Sequence, residues 1–453
     1  MFIFNLVLKF LSQIFSKFFP INFSSMTHNL ESTIFDISSY DPSEISNGGN
    51  NNNSYSHGFL TLMNLLNTLI GAEILGIANS MTFLGLCPSV ALMVCTALMS
   101  YVSTVLVIRL QNRTSAESIN DMAAKLLGKW GGNLLSILTL CFTYACQVAY
   151  LVIASNSLEL WLTMAGPKTA QWTTGWRRAI LVFIYAMILP VALTIPKKMD
   201  FLNTASTAAI GFILFFAFAI VVKSFIYFPK YGINKTVETG VFGVHIFNAL
   251  AIYAMIFALP AIVLPLLKPY SPSLHKRYFL VGAAFIICFT VILTPSALGY
   301  LMFGVDTEQV LLDNFDSKDI FMQIVRATFF LVVNASFPVV GISVITDISD
   351  LVFKTHDAAS LPPKQRALCL LIADAPPVLI AMWLPEVRPA LEVGGAFGGC
   401  LTNFFFPPML WVRQSEYKWY TWSNLLLILF SIFGVISAGI ATYQAFIDAF
   451  NSD

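Results

Sequence analysis

At 453 residues the chain is 57% hydrophobic and 11% charged, against roughly 25% charged in an average soluble domain, so it carries too little charge to coat a water-soluble globule of its size. Its 25 Lys plus Arg and 24 Asp plus Glu leave a formal net charge of +1, which excludes the global basic or acidic field that draws nucleic acid or charged polymers. Forty Phe and a mean hydropathy of +0.75 point into a bilayer, where about 20 apolar residues per crossing allow on the order of ten to twelve crossings.

Residues 1–22 form the first element. Polar Asn5, Lys9, Ser12, Gln13, Ser16 and Lys17 recur at three- and four-residue spacing, which gathers them on one face opposite Phe, Leu and Ile, the pattern of an amphipathic helix lying in the membrane surface. The stretch lacks a basic n-region and a small-residue cleavage site, so a removable signal peptide is the poorer reading; Met26 remains open as an alternative start. Residues 23–57 read as a disordered, mildly acidic cytosolic tail ending in an Asn-rich stretch at 47–53.

A transmembrane domain over 58–447 follows, with apolar segments at 59–84, 86–108, 133–158, 179–195, 204–228, 241–267, 278–303, 320–346, 367–385, 389–412 and 421–443. Each is long enough for a helix that crosses hydrocarbon and satisfies its own backbone, so the expected fold is all-α and polytopic with about eleven crossings. With the N-terminus in the cytosol, sixteen of the 25 basic residues fall on the cytosolic side and nine on the other, the bias that short loops show. The seven cysteines lie within or at the ends of apolar segments without metal-ligand spacing, which suits structural thiols. Asn234-Lys235-Thr236 is a glycosylation sequon in a loop read as external.

The sequence contains no nucleotide-binding loop, no paired catalytic carboxylates on a soluble domain and no serine nucleophile elbow, so neither an enzyme nor a cofactor is expected. Function falls to polar residues inside the spans, because an ionisable group near the bilayer centre costs about 2.5–3.5 kcal/mol on insertion scales and needs an interior partner or a wet cavity. In the first segment Asn64, Asn67, Thr68 and Gly71 share one helical face, which in a membrane is expected to turn inward. Gly71-Ala72-Glu73-Ile74-Leu75-Gly76 then brackets a carboxylate with glycines, the signature either of a helix that unwinds to meet a ligand or of tight packing around a neutral or paired Glu73. Leu259-Pro260 and Pro265 interrupt the sixth segment in the same way. Breaks in the first members of two five-helix sets, inverted by parity, point to a midplane transport site.

The other buried polar positions read more weakly. Tyr144 and Gln147 share a face of the third segment, lining a cavity or packing. Asp374 precedes Pro376 and Pro377, where a kink would wet it and allow a coupling role. His245 reads as interfacial, Asp347 and Asp350 as solvated or paired with Lys354, and Gly394, Gly395, Gly398 and Gly399 as a close-packing face.

Asn67-Thr68-Leu69-Ile70-Gly71-Ala72-Glu73-Ile74-Leu75-Gly76, with Val263-Leu264-Pro265 and Gly299-Tyr300-Leu301-Met302-Phe303-Gly304, resembles the signature motifs of the amino acid/auxin permease family, the transmembrane amino acid transporters of the amino acid-polyamine-organocation superfamily. The resemblance implies a LeuT-like 5+5 inverted repeat plus one helix, working as a secondary active amino acid transporter by alternating access and coupled to sodium or protons. It implies a substrate site between helices one, six, three and eight, drawn from Gly71, Ala72, Glu73, Gly76, Tyr144, Gln147, Phe257 and Ala258. It further implies a sodium site in which Asn67 is joined by Asn334 or Ser336. Two departures from the family pattern stand out: Glu73 replaces a glycine and Pro260 replaces a histidine. The expected partners are an amino acid and membrane lipid, the membrane being the plasma membrane or a vacuolar or lysosomal one. The alternative reading is a membrane amino acid sensor that moves nothing and signals through its cytosolic tail.

Overall fold

The computed structural model describes residues 58–71, 73–196, 200–241, 243–353 and 360–451. The expected surface helix and tail at 1–57 lie outside the described residues, as does Ala72. Each apolar segment is helical in whole or large part, since a helix lets one segment satisfy its peptide groups in hydrocarbon. The first comprises α1 (Gly58–Leu69) and α2 (Ile74–Ser80), the second extended by a 3-10 turn at Met81–Phe83, with a 51° bend between them. Then come α3 (Leu86–Thr114), a short α4 (Ile119–Leu127), α5 (Lys129–Ala165), α6 (Gly175–Ile188), α7 (Pro190–Thr194) and α8 (Asp200–Tyr231). The second set is α9 (Ile246–Ile256) with α10 (Val263–Leu267), then α11 (Leu274–Phe303), α12 (Ile320–Ile348) and α13 (Pro363–Trp383). It closes with α14 (Arg388–Gly394), which runs through a π-helical stretch at Gly395–Phe405 into α15 (Phe406–Gln414). The odd helix is α16 (Trp422–Asn451).

Among the described residues eight helices are long and apolar enough to cross a membrane, and nine if α1 and α2 form one bent span. The shortfall from the expected eleven lies in the sixth and tenth segments. There α9 has 11 residues before its break, and the π stretch divides the tenth, so neither offers one long regular helix. Interruptions fall in the first and sixth segments, where the sequence places them, and a further one in the tenth. The sequence reading left 109–132 as a connection, whereas the structure forms α4 there. Ser118 caps it by accepting from the Asp121 N–H at 3.1 Å, and its apolar Ile119, Met122 and Ala123 are buried, a nine-residue helix too short to register as a span.

At the centre α5 packs against α12, α14, α13 and the π stretch. The glycines of the tenth segment set the spacing of its neighbours. A β-carbon on Gly395 would collide with the Ala251 carbonyl, one on Gly399 with Ala254, and one on Gly398 with the Phe142 ring, so α9 and α5 close directly onto bare backbone. On the other side a β-carbon on Gly434 of α16 would stand 2.8 Å from the Cys400 carbonyl oxygen. Replacing Gly399 by Leu is expected to cost about 1–3 kcal/mol through overpacking, read as a lower melting temperature of the purified protein. Gly211→Ala, inside α8 at a position with open space around it, serves as the control and is expected to leave melting unchanged or slightly raised.

Candidate functional site

The regular bonding of α1 ends with the Ile70 N–H on the Leu66 carbonyl at 2.8 Å, and beyond it come three-residue turns, the Ile74 N–H on the Gly71 carbonyl at 3.5 Å and the Gly76 N–H on the Glu73 carbonyl at 2.9 Å. In the gap the Glu73 side chain folds back over Gly71, where a β-carbon would sit 2.9 Å from Glu73 Cδ. Only glycine leaves room for this, so Gly71 and Glu73 are one steric unit. The carboxylate is 8% exposed and its Oε1 accepts from the Tyr150 hydroxyl at 3.2 Å. Cys146 lies one turn before Tyr150 on the same buried face of α5. Gly76, also buried, admits Leu391: a β-carbon there would lie 2.6 Å from Leu391 Cδ1.

The two broken segments meet. α2 packs on α9, and the Ser80 and Tyr253 hydroxyls are 3.1 Å apart. Phe257, the C-cap of α9, is 1% exposed and stacks on Phe285 with centroids 5.8 Å apart, and Ala258 beside it is buried. Proline at 260 ends regular helix here, which leaves carbonyls without helical donors. The Asn403 amide nitrogen donates to the Ala254 and Phe257 carbonyls, each at 3.3 Å, so a residue of the π stretch holds open the end of α9. Sequence reading missed Asn403; its signal was a carboxamide in the middle of an apolar segment.

The remaining expected site residues divide between faces. Tyr144 and Gln147 turn to α13 rather than to Glu73: the Tyr144 hydroxyl donates to the Ile372 carbonyl at 2.6 Å, the acceptor that Pro376 cannot serve. Asn334, 4% exposed, accepts from the Tyr185 hydroxyl at 2.6 Å and donates to the Phe330 carbonyl at 2.7 Å, while Ser336 and Asn67 are half-buried. Pro338 has no N–H to give the Asn334 carbonyl. The stripe on α1 departs from expectation, because Asn64 and Thr68 are exposed and the packed face is Thr61, Leu62, Leu65, Leu66 and Leu69. Asn64 and Thr68 thus turn away from the packed face, while Asn67 and Gly71 are half-buried.

Charge inside the bundle is more extensive than the sequence reading allowed. Glu392 of α14 is fully buried, with Arg388 Nε 3.6 Å from Oε1 and buried Asn248 on the adjoining α9; Arg388 also reaches Asp448 at 3.3 Å. His245 stacks on Phe83, and Arg388 lies over the same ring. At one end of the bundle Arg178 pairs with Glu159 at 2.8 Å, Arg326 with Asp313 at 2.5 Å, and Lys223 with Asp319. Among the described residues no cluster of three His, Cys, Asp or Glu is set to hold a metal ion.

The family model described as "Transmembrane amino acid transporter protein" matches residues 59–447, and the chain belongs to that family. It is 26% identical over 391 residues to "Amino acid transporter AVT6E" of Arabidopsis thaliana, covering 81% of this chain and 78% of that one. It is 21% identical over 397 residues to "Sodium-coupled neutral amino acid transporter 7" of Xenopus laevis, covering 84% and 86%. A solved manganese transporter of Eremococcus coleocola aligns over 91% of this chain and 92% of its own at 15% identity with a TM-score of 0.49. The protein is thus an integral, multi-pass membrane member of an amino acid transporter family, and its relatives are named as transporters rather than enzymes. Asn403→Ala strips the side-chain donor from the Ala254 carbonyl and one of two donors from the Phe257 carbonyl, which keeps the Leu259 N–H at 2.8 Å, and is expected to cost about 1–3 kcal/mol, visible as a fall in melting temperature in detergent.

Proposed function

We propose that the chain is a secondary active transporter that moves amino acids by alternating access, coupled to sodium or protons, with its N-terminus cytosolic. The membrane is the plasma membrane or a vacuolar or lysosomal one. The observation that carries this reading is the break in the first span, where a buried carboxylate folds against Gly71 under the Tyr150 hydroxyl while the broken sixth segment packs alongside. In this reading the amino acid's carboxylate meets backbone N–H groups at Gly71 and Ala72, because interrupted helices present donors that hydrocarbon leaves otherwise unsatisfied. Glu73 then pairs with a cationic substrate or carries a proton. Sodium coupling draws support from the name of the frog relative and from neutral oxygens at Asn67, Asn334 and Ser336, including the Asn334 carbonyl that Pro338 leaves without its donor.

Purified protein in proteoliposomes, offered a panel of labelled amino acids with and without a sodium gradient and a pH step, is expected to accumulate at least one of them. No accumulation under either gradient sinks the proposal, and amino acid binding without movement replaces it with sensing. Glu73→Gln is expected to change the pH dependence of uptake or the preference for cationic substrates; identical uptake across pH and substrate classes assigns Glu73 to packing. Tyr150→Phe, which removes the donor and keeps the ring, is expected to raise the half-saturating amino acid concentration about two- to tenfold, measured in the same vesicles.

A further inference from the structure

A second polar centre lies away from the broken helices, between α5, α7, α12 and α13. Gln147 of α5 is 0% exposed and Asp374 of α13 is 5% exposed. Gln147 Nε2, Gln147 Oε1 and Asp374 Oδ1 have no hydrogen-bond partner among the described residues. They converge on Gly341 of α12, where a β-carbon would lie 3.2 Å from Gln147 Nε2, 3.6 Å from Asp374 Oδ1 and 3.2 Å from Thr194 Cγ2. The missing side chain at 341 is what lets an amide and a carboxyl approach the same point. Pro376 and Pro377, just beyond Asp374 on the same helix, withhold N–H donors from the carbonyls of Ile372 and Ala373. Tyr144 serves the first of these.

Among the described residues, the charged and titratable groups on the surrounding elements bring no counter-charge to this carboxyl. Arg366, on α13 itself, donates to the Ile195 and Pro196 carbonyls at 3.0 and 3.2 Å. Arg178 of α6 is held by Glu159 and reaches only the far end of α13, at the Ala381 and Met382 carbonyls. Tyr144 and Cys141 of α5, Cys369 of α13 and Asp347 at the end of α12 bring no positive charge. A buried carboxyl in a bilayer takes up a proton or a metal cation, and the Gln147 amide, whose nitrogen stands nearest Gly341, presents its oxygen to such a guest by a half-turn about its terminal bond.

We propose that Asp374 and Gln147, opposed across Gly341, form a binding site for one monovalent cation, a proton or a sodium ion, separate from the site at Gly71 and Glu73. As a coupling site it rests on the transport reading above; as a cation site it does not.

The test uses purified full-length wild type, Asp374→Asn, Gly341→Ala and Gln147→Leu, in two arms. Without amino acid, melting temperature is followed against pH and against sodium chloride with choline chloride as control. If the guest is a proton, the folded state binds it more tightly than the unfolded one, so wild-type melting rises as pH falls relative to Asp374→Asn. If it is sodium, melting rises with sodium but not with choline. Asp374→Asn is expected to flatten whichever dependence wild type shows, and Gly341→Ala and Gln147→Leu to shift its midpoint. In vesicles the stimulation of uptake by the same cation is expected to fall about tenfold in Asp374→Asn. Cation-dependent melting that is the same in all variants as in wild type overturns the site, and should Asp374→Asn not fold, the other two variants decide. Melting that responds as expected while wild type moves no amino acid keeps the site and removes only its coupling role.

Discussion

Every peptide group in hydrocarbon needs a hydrogen-bond partner, and the arrangement of this bundle follows from where that requirement is met by something other than a regular helix. Prolines and glycines interrupt the ladder at fixed places, and a polar side chain from another helix answers at several of them. Asn403 takes the carbonyls at the end of α9, Tyr144 takes the carbonyl freed by Pro376, and Arg366 takes two at the end of the fourth segment. Each answer fixes one helix against another, so the interruptions serve as cross-links as well as openings.

The same economy governs charge. Arg178, Arg326 and Lys223 are neutralised by Glu159, Asp313 and Asp319 near the ends of helices, the two arginines being themselves buried. Deeper carboxyls are handled differently. Glu73 leans on a glycine and a tyrosine, Glu392 sits beside an arginine and a buried asparagine, and Asp374 faces an amide. The three deep carboxyls thus sit in three different environments.

Much of this was legible in the chain itself. The apolar runs marked where the helices are, because length and hydropathy are local properties, and Gly71-Ala72-Glu73 and Leu259-Pro260 marked where two of them break, because glycine and proline act on their own backbone. The small face of the tenth segment was legible from its glycine spacing and is borne out by the contacts at Gly395, Gly398 and Gly399. What escaped was partnership. Tyr144 and Gln147 share a face that the sequence left as cavity lining or packing; in the fold Tyr144 bonds to α13, while Tyr150, one turn beyond Gln147, is the residue at Glu73. Asn403 and Glu392 passed unremarked, since one polar residue in an apolar run does not say which neighbour it will face.

The sequence alone determined that the protein lives in a bilayer, that it is built of helices, that the first and sixth segments are interrupted and to which family it belongs. These depend on residues within one or two turns of each other and on composition. The tertiary structure alone decided that Glu73 folds onto Gly71 under Tyr150, that Asn403 holds the broken end of α9, and that Gly341 opens a gap shared by Gln147 and Asp374. Those outcomes depend on the rotation of one helix about its axis relative to another. In apolar surroundings that rotation is set by close packing and by matching of unsatisfied polar groups across the bundle, and no single segment encodes it.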